Sequence, residues 1–472
     1  MKKSLFSIAM IFATLSVFGG GLLTNTNQNV HFLRNPARGA STEIDAVYSN
    51  PAGLSFLKHD GLTLSLNNQS AFQTRTITTT FAPFAMNGGS DTKEYEGTTT
   101  APFIPSLQAA YKWKDFVFSG SFAIVGGGGT LKYDKGLPSF ETQVAMLPIM
   151  ANGMLQEMGM PPTFNVSKYS LDQYLEGSSI TYGIQWGASC KINDFFSAFV
   201  GGRVSIVENG YKGHLKNIQI NPNIPIPPMN LSGENMIPAT DFVNGLAASG
   251  AITQEKADEL LGLVSDKEID CKQSGFGVAP ILGFNINYEK LNIGVKYEFN
   301  TRITLENKTK KDNTGLFPDK GKSEYDIPAL ATLGVSYKFF ADKLIASAGF
   351  HLFFDKDAEM TNGRQKELKS NSYEVLAGLE YKICDKFLVS AGGQISRYGF
   401  ADNYQSDMNF GCNSASVGLG GAYNITEKLT LNLAYLLTVY DEYTKNNPYG
   451  PGSKESYNRT NNAFGIGLDY RF

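Results

Sequence analysis

The feature that most constrains the fold of this 472-residue chain is its last segment, where apolar and polar side chains alternate without interruption. From Phe464 to Phe472 every second residue is aromatic or aliphatic, and the residues between them are glycine, aspartate or arginine. A period of two places these two sets on opposite faces of a β-strand. The segment is therefore predicted to form a strand with one apolar and one polar face. An edge strand of a soluble sheet is the alternative for this segment alone.

The same alternation recurs upstream, and the alternating segments are grouped into hairpins with short turns such as Asn193-Asp194 and Glu289-Lys290. The connections on the other side are longer and span 74–100, 127–178, 209–275, 306–324, 357–371, 400–411 and 444–459. An even number of strands with short turns on one side and long loops on the other is typical of bacterial outer-membrane barrels. The sequence therefore predicts an all-β fold, a 14-stranded antiparallel transmembrane β-barrel over 61–472.

The N-terminus has the pattern of an export signal. Lys2 and Lys3 precede an apolar stretch, Leu5–Phe18, which is broken by glycines and is too short for a membrane-spanning helix. We predict a signal peptide at 1–21, cleaved near Gly19–Leu23. Downstream there is no apolar run long enough for a transmembrane helix, so a membrane protein of this sequence has to be a closed barrel. The predicted location is the bacterial outer membrane.

Charge, cysteine and histidine usage argue against several classes of function. The net charge of −3 gives no support for a nucleic-acid partner, and four cysteines without Cys-x-x-Cys spacing predict neither a metal site nor a cofactor. A barrel lipase or esterase is the enzymatic alternative, since His351 and Asp355 are predicted to share the inner face. No Gly-x-Ser-x-Gly motif accompanies them, so we predict that the chain is not an enzyme.

The segment 22–60, before the first strand, fits no strand pattern and contains Asn-Pro-Ala twice, at 35–37 and 50–52. Two interpretations are open: a plug that folds back into the barrel lumen, and a disordered periplasmic leader. The apolar pieces at 46–48 and 54–57 favour the plug, because such residues gain from burial.

The stretch Ala40–Leu54, which contains Asn50-Pro51-Ala52, resembles the hatch of the FadL-type outer-membrane transporters of long-chain fatty acids and other hydrophobic compounds. Further similarities occur at 105–111, 118–121 and 327–328. The resemblance implies a fourteen-strand barrel with a hatch in its lumen and a kinked third strand that opens laterally into the membrane. It also implies that Asn50-Pro51-Ala52 forms the gate of the hatch.

Four consecutive glycines, Gly126, Gly127, Gly128 and Gly129, follow the predicted third strand. Such a run does not hold a regular ladder well and favours a bulge or kink. The resemblance implies that the barrel wall opens here. The alternative is a glycine-rich start to an external loop.

Two long loops carry apolar patterns with helical spacing, and Thr253 is expected to cap the helix in the second loop. The predicted ligand-binding side chains in these loops are Met146, Met150, Met154, Met158, Leu260, Leu261 and Val264. Methionine suits variable apolar ligands because its side chain is flexible and polarizable. The resemblance implies an initial binding groove, and the alternative is that these stripes only dock one loop on another.

Charged residues are also predicted to face the lumen. Arg203, Lys296 and Arg302 are candidates for binding a ligand carboxylate, and the alternative is a structural salt-bridge network. If a disulfide forms, Cys271–Cys412 near the external rim is the expected pair, because a long loop gives Cys271 reach.

The function predicted from these features is passive uptake of a hydrophobic small molecule, captured by external loops, bound in the lumen and released sideways near strand three. The alternatives are a non-specific porin and a structural barrel. The expected partners are the ligand, outer-membrane lipid and the barrel-assembly machinery, which would recognise the strand ending at Phe472. A monomer is expected. The ligand stays open between a fatty acid, an aromatic hydrocarbon, a haem-like molecule and a lipid.

Overall fold

The computed structural model describes Leu22, 24–225 and 230–472, and these residues form a closed antiparallel barrel of fourteen strands. The first strand pairs with the last, with Thr63 opposite Arg471, and this pairing closes the barrel. Across the described part of the chain, none of the helices combines the length and the apolar character needed to cross a bilayer. The predicted signal peptide, 1–21, lies outside the described residues. The predicted fold class is confirmed.

The strands are β1 Gly61–Thr80, β2 Thr92–Trp113, β3 Phe116–Tyr133, β4 Asn165–Lys191, β5 Phe196–Ile224, β6 Lys267–Tyr288, β7 Leu291–Glu298 continued by Thr304–Asp312, β8 Lys322–Glu324 continued by Leu330–Phe339, β9 Leu344–Phe353, β10 Ser372–Lys382, β11 Phe387–Arg397, β12 Ser414–Asn424, β13 Leu429–Tyr440 continued by Tyr443–Asn446, and β14 Lys454–Arg471. The helices are α1 Val30–Arg34, α2 Ala46–Ser49, α3 Pro138–Ala145, α4 Leu147–Glu157, α5 Ala239–Ala248 and α6 Gln254–Val264, with 3-10 segments at Pro51–Phe56, Ala82–Met86, Asp355–Asp357 and Thr361–Glu367. Two short strands, Leu231–Ser232 and Ile237–Pro238, pair with β5.

Several strands extend farther on the external side than the sequence predicts. The connection predicted at 127–178 begins with residues of β3, which runs to Tyr133, and ends with residues of β4, which begins at Asn165. Beyond the membrane both faces of a strand meet polar surroundings, so the alternation of apolar and polar residues disappears while the ladder continues. The strand ends therefore cannot be read from hydrophobic periodicity.

The two faces of the strands differ as expected for a barrel in a membrane. The outward face is apolar and open, as Phe276 and Val278 of β6 show with exposed fractions of 71% and 53%. The inward face is largely polar and buried, as Asn285 and Asn292 show. The C-terminal strand follows the same rule, because its apolar set from Phe464 onwards is exposed.

The N-terminal segment 24–57, called the hatch below, lies inside the barrel. Its helix α1 contacts β12, β13 and β14, and α2 with the following 3-10 segment contacts β3 to β6. Val30, Leu33 and Leu54 are fully buried there. The hatch therefore touches the wall on most sides of the lumen.

Glycines on the inner wall allow the hatch backbone to come close. A Cβ atom on Gly334 of β8 would lie 2.1 Å from the carbonyl carbon of Gly39, and one on Gly378 of β10 would lie 1.9 Å from Oδ1 of Asn35. Gly418 of β12 lies in the same way against the carbonyl oxygen of Leu33. These positions need glycine because the hatch occupies the space of a side chain.

The prediction of a Cys271–Cys412 disulfide is wrong, because all four cysteines are free thiols. Cys271 lies within β6 rather than in a long loop, and it packs with Tyr211 and Phe317. Cys412 packs in a different cluster that includes Phe410. The reach assumed for Cys271 is therefore absent.

Candidate functional site

The external loop helices form an apolar groove at the mouth of the barrel. Helix α4 lies on one side, α5 and α6 lie on the other, and Ile220 of β5 closes the base. The groove holds about 380 Å³ of empty space, part of which is open solvent. Its lining contains no charged side chain: Leu147, Met150, Ala151, Met154, Ile220, Ala239, Phe242, Val243, Leu246, Leu260 and Val264.

The predicted loop residues divide into two groups. Met150, Met154, Leu260 and Val264 line the groove. Met146, Met158 and Leu261 instead pack against the surrounding apolar cluster. The methionine stripe is interrupted because one helix, α3, ends at Ala145 and the next, α4, begins at Leu147 with Pro148 in its first turn. As predicted, the side chain of Thr253 caps α6 by accepting a hydrogen bond from the Lys256 N–H.

The same apolar cluster continues from the groove into the upper lumen. It includes Leu131 and Tyr133 of β3, Phe410, Tyr440 and Tyr457. A molecule that leaves the groove would therefore stay against apolar and aromatic side chains as it enters the barrel.

Two arginines lie at the lower end of this cluster. Arg75 of β1 and Arg459 of β14 stand opposite each other in the ladder, and both are buried on the inner face. The guanidinium carbon of Arg75 lies 5.3 Å from the Phe410 ring centroid, and that of Arg459 lies 4.7 Å from the Tyr440 ring centroid. The pair places two cations, each against an aromatic face, at the end of an apolar path.

The barrel wall is interrupted between β2 and β3. Their ladder ends at the Thr99–Leu131 pair and resumes at the Leu107–Phe122 pair, so 100–106 and 123–130 are not paired with each other. Ala71, Ala101 and Ile104 cluster with Ile124 at this opening, called the β2–β3 gap below. The gap therefore has an apolar lining.

The gap lies just below the arginine pair. Arg75 stands opposite Gly97 of β2, and Gly97 stands opposite Tyr133 of β3. The next inward pair down is Thr99–Leu131, where the ladder ends. The groove, the arginine pair and the gap therefore follow one another from the mouth of the barrel downwards.

Residue types on both strands explain the interruption. Pro102 and Pro105 of β2 have no N–H to donate to β3, and proline is poorly tolerated inside a sheet. On β3, Gly127 and Gly128 have φ values of +62° and +131°, which side-chain-bearing residues rarely adopt. The ladder of β3 with β4 also shifts register on either side of Gly127. The predicted glycine kink is thus part of the strand rather than the start of a loop.

The N-terminal end of the hatch lies across the inner side of the gap. Asn25 donates its backbone N–H to the carbonyl oxygen of Val125 at 2.8 Å, and its side-chain amide to that of Gly127 at 2.9 Å. Gln69 of β1 holds the same segment by donating to the carbonyl oxygen of Asn27 at 2.6 Å. The unpaired backbone of β3 is therefore partly satisfied by the hatch.

The Asn50-Pro51-Ala52 motif is held at the periplasmic end of the wall. Asn50 donates from its side-chain amide to Asn285 of β6 at 2.7 Å. Ser189 of β4 donates to the carbonyl oxygen of Pro51 at 2.6 Å, and Ser197 of β5 donates to that of Ala52 at 2.7 Å. The motif is an anchor in this structure, and its role as a gate stays a prediction.

The predicted carboxylate-binding residues Arg203 and Lys296 share one partner. Glu298 accepts from Arg203 and from Lys296, the latter at 2.6 Å, and all three side chains are buried. Lys296 also donates to the carbonyl oxygen of Tyr48 at 2.8 Å and so holds the hatch. Because Glu298 already supplies the carboxylate, these residues have the salt-bridge role given as the alternative.

The prediction that Arg302 faces the lumen is wrong, because its side chain is exposed on the outer face. Lys296 and Glu298 point inward at even positions, whereas Ile303 and Leu305 point inward at odd positions. β7 is interrupted between its two parts, so the alternation shifts by one residue.

An ion network fixes the hatch to the floor of the barrel. His31 lies 3.0 Å from Asp469 of β14, and Glu380 of β10 lies 2.9 Å from Arg34 and 2.5 Å from Arg38. Burial lowers the pKa of His31, but the nearby carboxylates, Asp469 above all, raise it further, to about 9. His31 is therefore a cation at neutral pH.

Ligand atoms of His31, Glu43 and Asp45 lie within 4.8 Å of one another, a spacing that a metal ion can use. Arg38 donates to Asp45 at 2.7 and 2.8 Å and to Glu43 at 2.8 Å. The guanidinium therefore already binds both carboxylates where a metal would bind.

His351, the residue of the enzymatic alternative, pairs with Glu374 of β10 at 2.9 Å. Asp355 instead accepts a hydrogen bond from the Ser372 N–H at 3.0 Å. A serine, histidine and aspartate in relay are therefore not assembled around His351 by these contacts.

Sequence reasoning missed Arg75, Arg459, Asn25 and the two prolines of β2. The prolines carried a readable signal, because proline in an alternating segment marks a break in pairing. The arginines carried none, since their juxtaposition depends on the register between the first and last strands.

No protein-family model and no curated protein matches the chain. Among solved structures, a Pseudomonas aeruginosa FadL homologue aligns over 96% of this chain and 99% of its own, with a TM-score of 0.62 and 13% identity. The Pseudomonas putida toluene transporter TodX aligns over 92% and 95%, with a TM-score of 0.54 and 16% identity. The Ralstonia pickettii toluene transporter TbuX aligns over 93% and 98%, with a TM-score of 0.53 and 15% identity. The chain therefore has the fold of FadL-type outer-membrane transporters.

Proposed function

We propose that this protein takes up hydrophobic small molecules through the outer membrane, and that the ligand moves from the loop groove past the arginine pair to the β2–β3 gap. The observation that carries the proposal is the continuity of this path. One apolar cluster joins the groove helices to Leu131 and Tyr133, and the interruption of the wall begins at the Leu131 pair.

Lateral release is favoured over passage straight through the barrel. The lumen below the gap contains the hatch, whose residues from Val30 to Leu54 are mostly buried against the wall. Much of the inner wall around the hatch is polar, with Gln185, Asn285 and Asn292 bonded to it or to each other, and apolar wall residues such as Phe199 already pack against the hatch. An apolar molecule finds no open apolar surface there, because the hatch already covers it, whereas the apolar gap leads to the hydrocarbon of the membrane.

The substrate class that fits this path best is an apolar molecule with a carboxylate. The groove supplies apolar contact, and Arg75 with Arg459 supplies two guanidinium groups that suit a carboxylate. FadL and toluene transporters share the fold, so aromatic hydrocarbons are the competing class.

The test compares binding of radiolabelled oleate and of toluene to the purified protein and to an Arg75→Gln/Arg459→Gln variant. Loss of charged hydrogen bonds should weaken oleate binding by about tenfold or more, since each contributes about 1.5–3 kcal/mol. Toluene binding should stay unchanged. Arg471→Gln, at the periplasmic end of β14, is the matched control.

Equal oleate binding by the arginine variant and the wild type would contradict the carboxylate assignment. Heat-modifiable migration on gels shows whether each variant has folded as a barrel. Large steady ion conductance of the wild type in planar bilayers would instead support the porin alternative and overturn the uptake proposal.

A further inference from the structure

Two lysines face each other on the outer surface of the barrel. Lys272 of β6 stands directly opposite Lys308 of β7, and both side chains are exposed. On its other side, Lys272 stands opposite Gly210 of β5, which has no side chain to offer. Like charges directly opposite each other destabilise a ladder, so an anion bound between these lysines would stabilise it.

A further cation lies near these lysines. Arg302 is exposed on the same face, and together with Lys272 and Lys308 it forms what we call the basic surface. Lys212 of β5 is exposed there too, but it stands between Glu176 of β4 and Asp270 of β6 and is not part of this surface. Within the ranges that the structure describes, none of the three side chains of the basic surface has an acidic group within 4.0 Å.

The acidic residues nearest to the basic surface are not its direct ladder partners. Asp270 lies 3.8 Å from Lys310, Glu268 lies 2.6 Å from Lys311, and Glu306 lies 3.9 Å from Lys322. Glu208 and Glu306 both stand opposite Ser274, so each is a diagonal neighbour of Lys272 and not its direct partner. The basic surface therefore keeps available positive charge.

The basic surface lies just above the apolar belt. Phe276, with an exposed fraction of 71%, marks the upper edge of the belt on β6. Lys272 is two outward positions farther along the strand, about 13 Å at 3.3 Å per residue. Arg302 is closer to the belt, since its carbonyl oxygen lies against Gly277. The basic surface therefore lies at the level of the lipid head groups in the external leaflet.

We propose that the basic surface binds the phosphate groups of a phosphorylated glycolipid of the outer leaflet, with its acyl chains against Phe276 and Val278. Lysine and arginine clusters next to an apolar membrane surface attract anionic head groups. The outward face of β1 and β2 differs, because Thr74, Thr76 and Thr78 stand there beside Glu94 and Glu96. The glycolipid is thus held away from the β2–β3 gap.

The test is native mass spectrometry of the detergent-purified full chain with bis-phosphorylated hexa-acyl lipid A. The wild type should retain one lipid A molecule. Lys272→Gln/Arg302→Gln/Lys308→Gln should bind about tenfold more weakly, since each tenfold corresponds to about 1.4 kcal/mol. Lys343→Gln/Lys386→Gln/Lys428→Gln removes the same charge from exposed periplasmic turns and should bind like the wild type.

Dephosphorylated lipid A separates head-group recognition from contact with the apolar belt. It should bind the wild type as weakly as phosphorylated lipid A binds the triple variant of the basic surface. Equal binding of the two lipids to the wild type, or wild-type affinity in that variant, would overturn the proposal. Heat-modifiable migration identifies folded barrel in every sample. The result is independent of which molecule the protein transports.

Discussion

From β8 to β12 the barrel wall is a series of uninterrupted ladders, whereas between β2 and β3 the ladder is broken, and both regions are rich in glycine. In the regular region, Gly334 and Gly378 have ordinary extended backbones, and their missing side chains leave room for the hatch. In the broken region, Gly127 and Gly128 have positive φ values and face a strand that contains two prolines. The effect of glycine is therefore set by its neighbours.

The hatch makes different contacts with these two regions of the wall. It lies against the regular wall through close backbone contacts and buried ion pairs such as Arg34–Glu380. At the β2–β3 gap itself the hatch is held by hydrogen bonds of Asn25 to β3 and of Asn27 to Gln69 of the neighbouring β1. The comparison indicates a firm attachment on one side and a weaker closure on the side where release is proposed.

The largest effect, on ion conductance, is expected from blocking the attachment of the hatch to the regular wall. In Gly334→Ala the new methyl group would lie 2.1 Å from Gly39, so either the hatch or the strand has to move. Such overpacking costs about 1–3 kcal/mol. We expect the hatch to be displaced, which would show as a rise of about tenfold or more in ion conductance across planar bilayers.

Gly349→Ala is the matched control for this experiment. Gly349 lies on the inner face of the neighbouring strand β9, but its added Cβ would meet no atom closer than 3.4 Å. Its conductance should equal that of the wild type. Equal conductance of Gly334→Ala and Gly349→Ala would show that the hatch does not depend on the close approach at Gly334.

A smaller effect is expected from weakening the closure at the gap. Asn25→Ala removes the side-chain hydrogen bond to Gly127 and keeps the backbone bond to Val125. One hydrogen bond contributes about 1 kcal/mol, so amide hydrogen exchange over 123–130 should accelerate about fivefold. Exchange in β10 and β11 should not change. A uniform acceleration in all strands would indicate general destabilisation instead.

The smallest effect is expected on the pH dependence of the attachment between the hatch and the regular wall. Burial opposes the charged form of His31, but the carboxylates around it, with Asp469 first, raise its pKa to about 9. A raised pKa stabilises the attachment at and below neutral pH, and this contribution is lost as the pH rises through 9. Protease sensitivity of the hatch should therefore increase between pH 8 and pH 10. His31→Gln should remove this increase, and an unchanged increase would assign it to another group.

The barrel was accessible to sequence reasoning because alternation is a local pattern that repeats in every strand. The hatch was accessible because its apolar residues and its Asn-Pro-Ala motif stand outside that pattern. The position of Gly126–Gly129 was also readable, since a glycine run weakens a ladder wherever it occurs.

The features of the site that the sequence does not predict depend on the register between paired strands. Arg75 and Arg459 meet only because the first and last strands pair with one particular offset, and no local pattern encodes that offset. Arg302 was misplaced because an interruption of β7 shifts the alternation by one residue. The partners of Arg203 and Lys296 depend in the same way on how β5 and β7 lie around the lumen.

The most direct test of lateral release is to lock the β2–β3 gap with a covalent cross-link. In a chain whose four native cysteines are replaced by alanine, Ile104→Cys and Ile124→Cys place thiols in the cluster that lines the gap. A pair at Ala391 and Leu419, opposite each other on the outward face of β11 and β12, is the control.

Uptake of radiolabelled oleate into proteoliposomes is measured before and after treatment with a short bifunctional thiol reagent. If the ligand leaves through the gap, cross-linking the gap pair lowers uptake by about tenfold, equivalent to about 1.4 kcal/mol, while cross-linking the control pair has no effect. Undiminished uptake by a fully cross-linked gap pair would contradict lateral release through this wall.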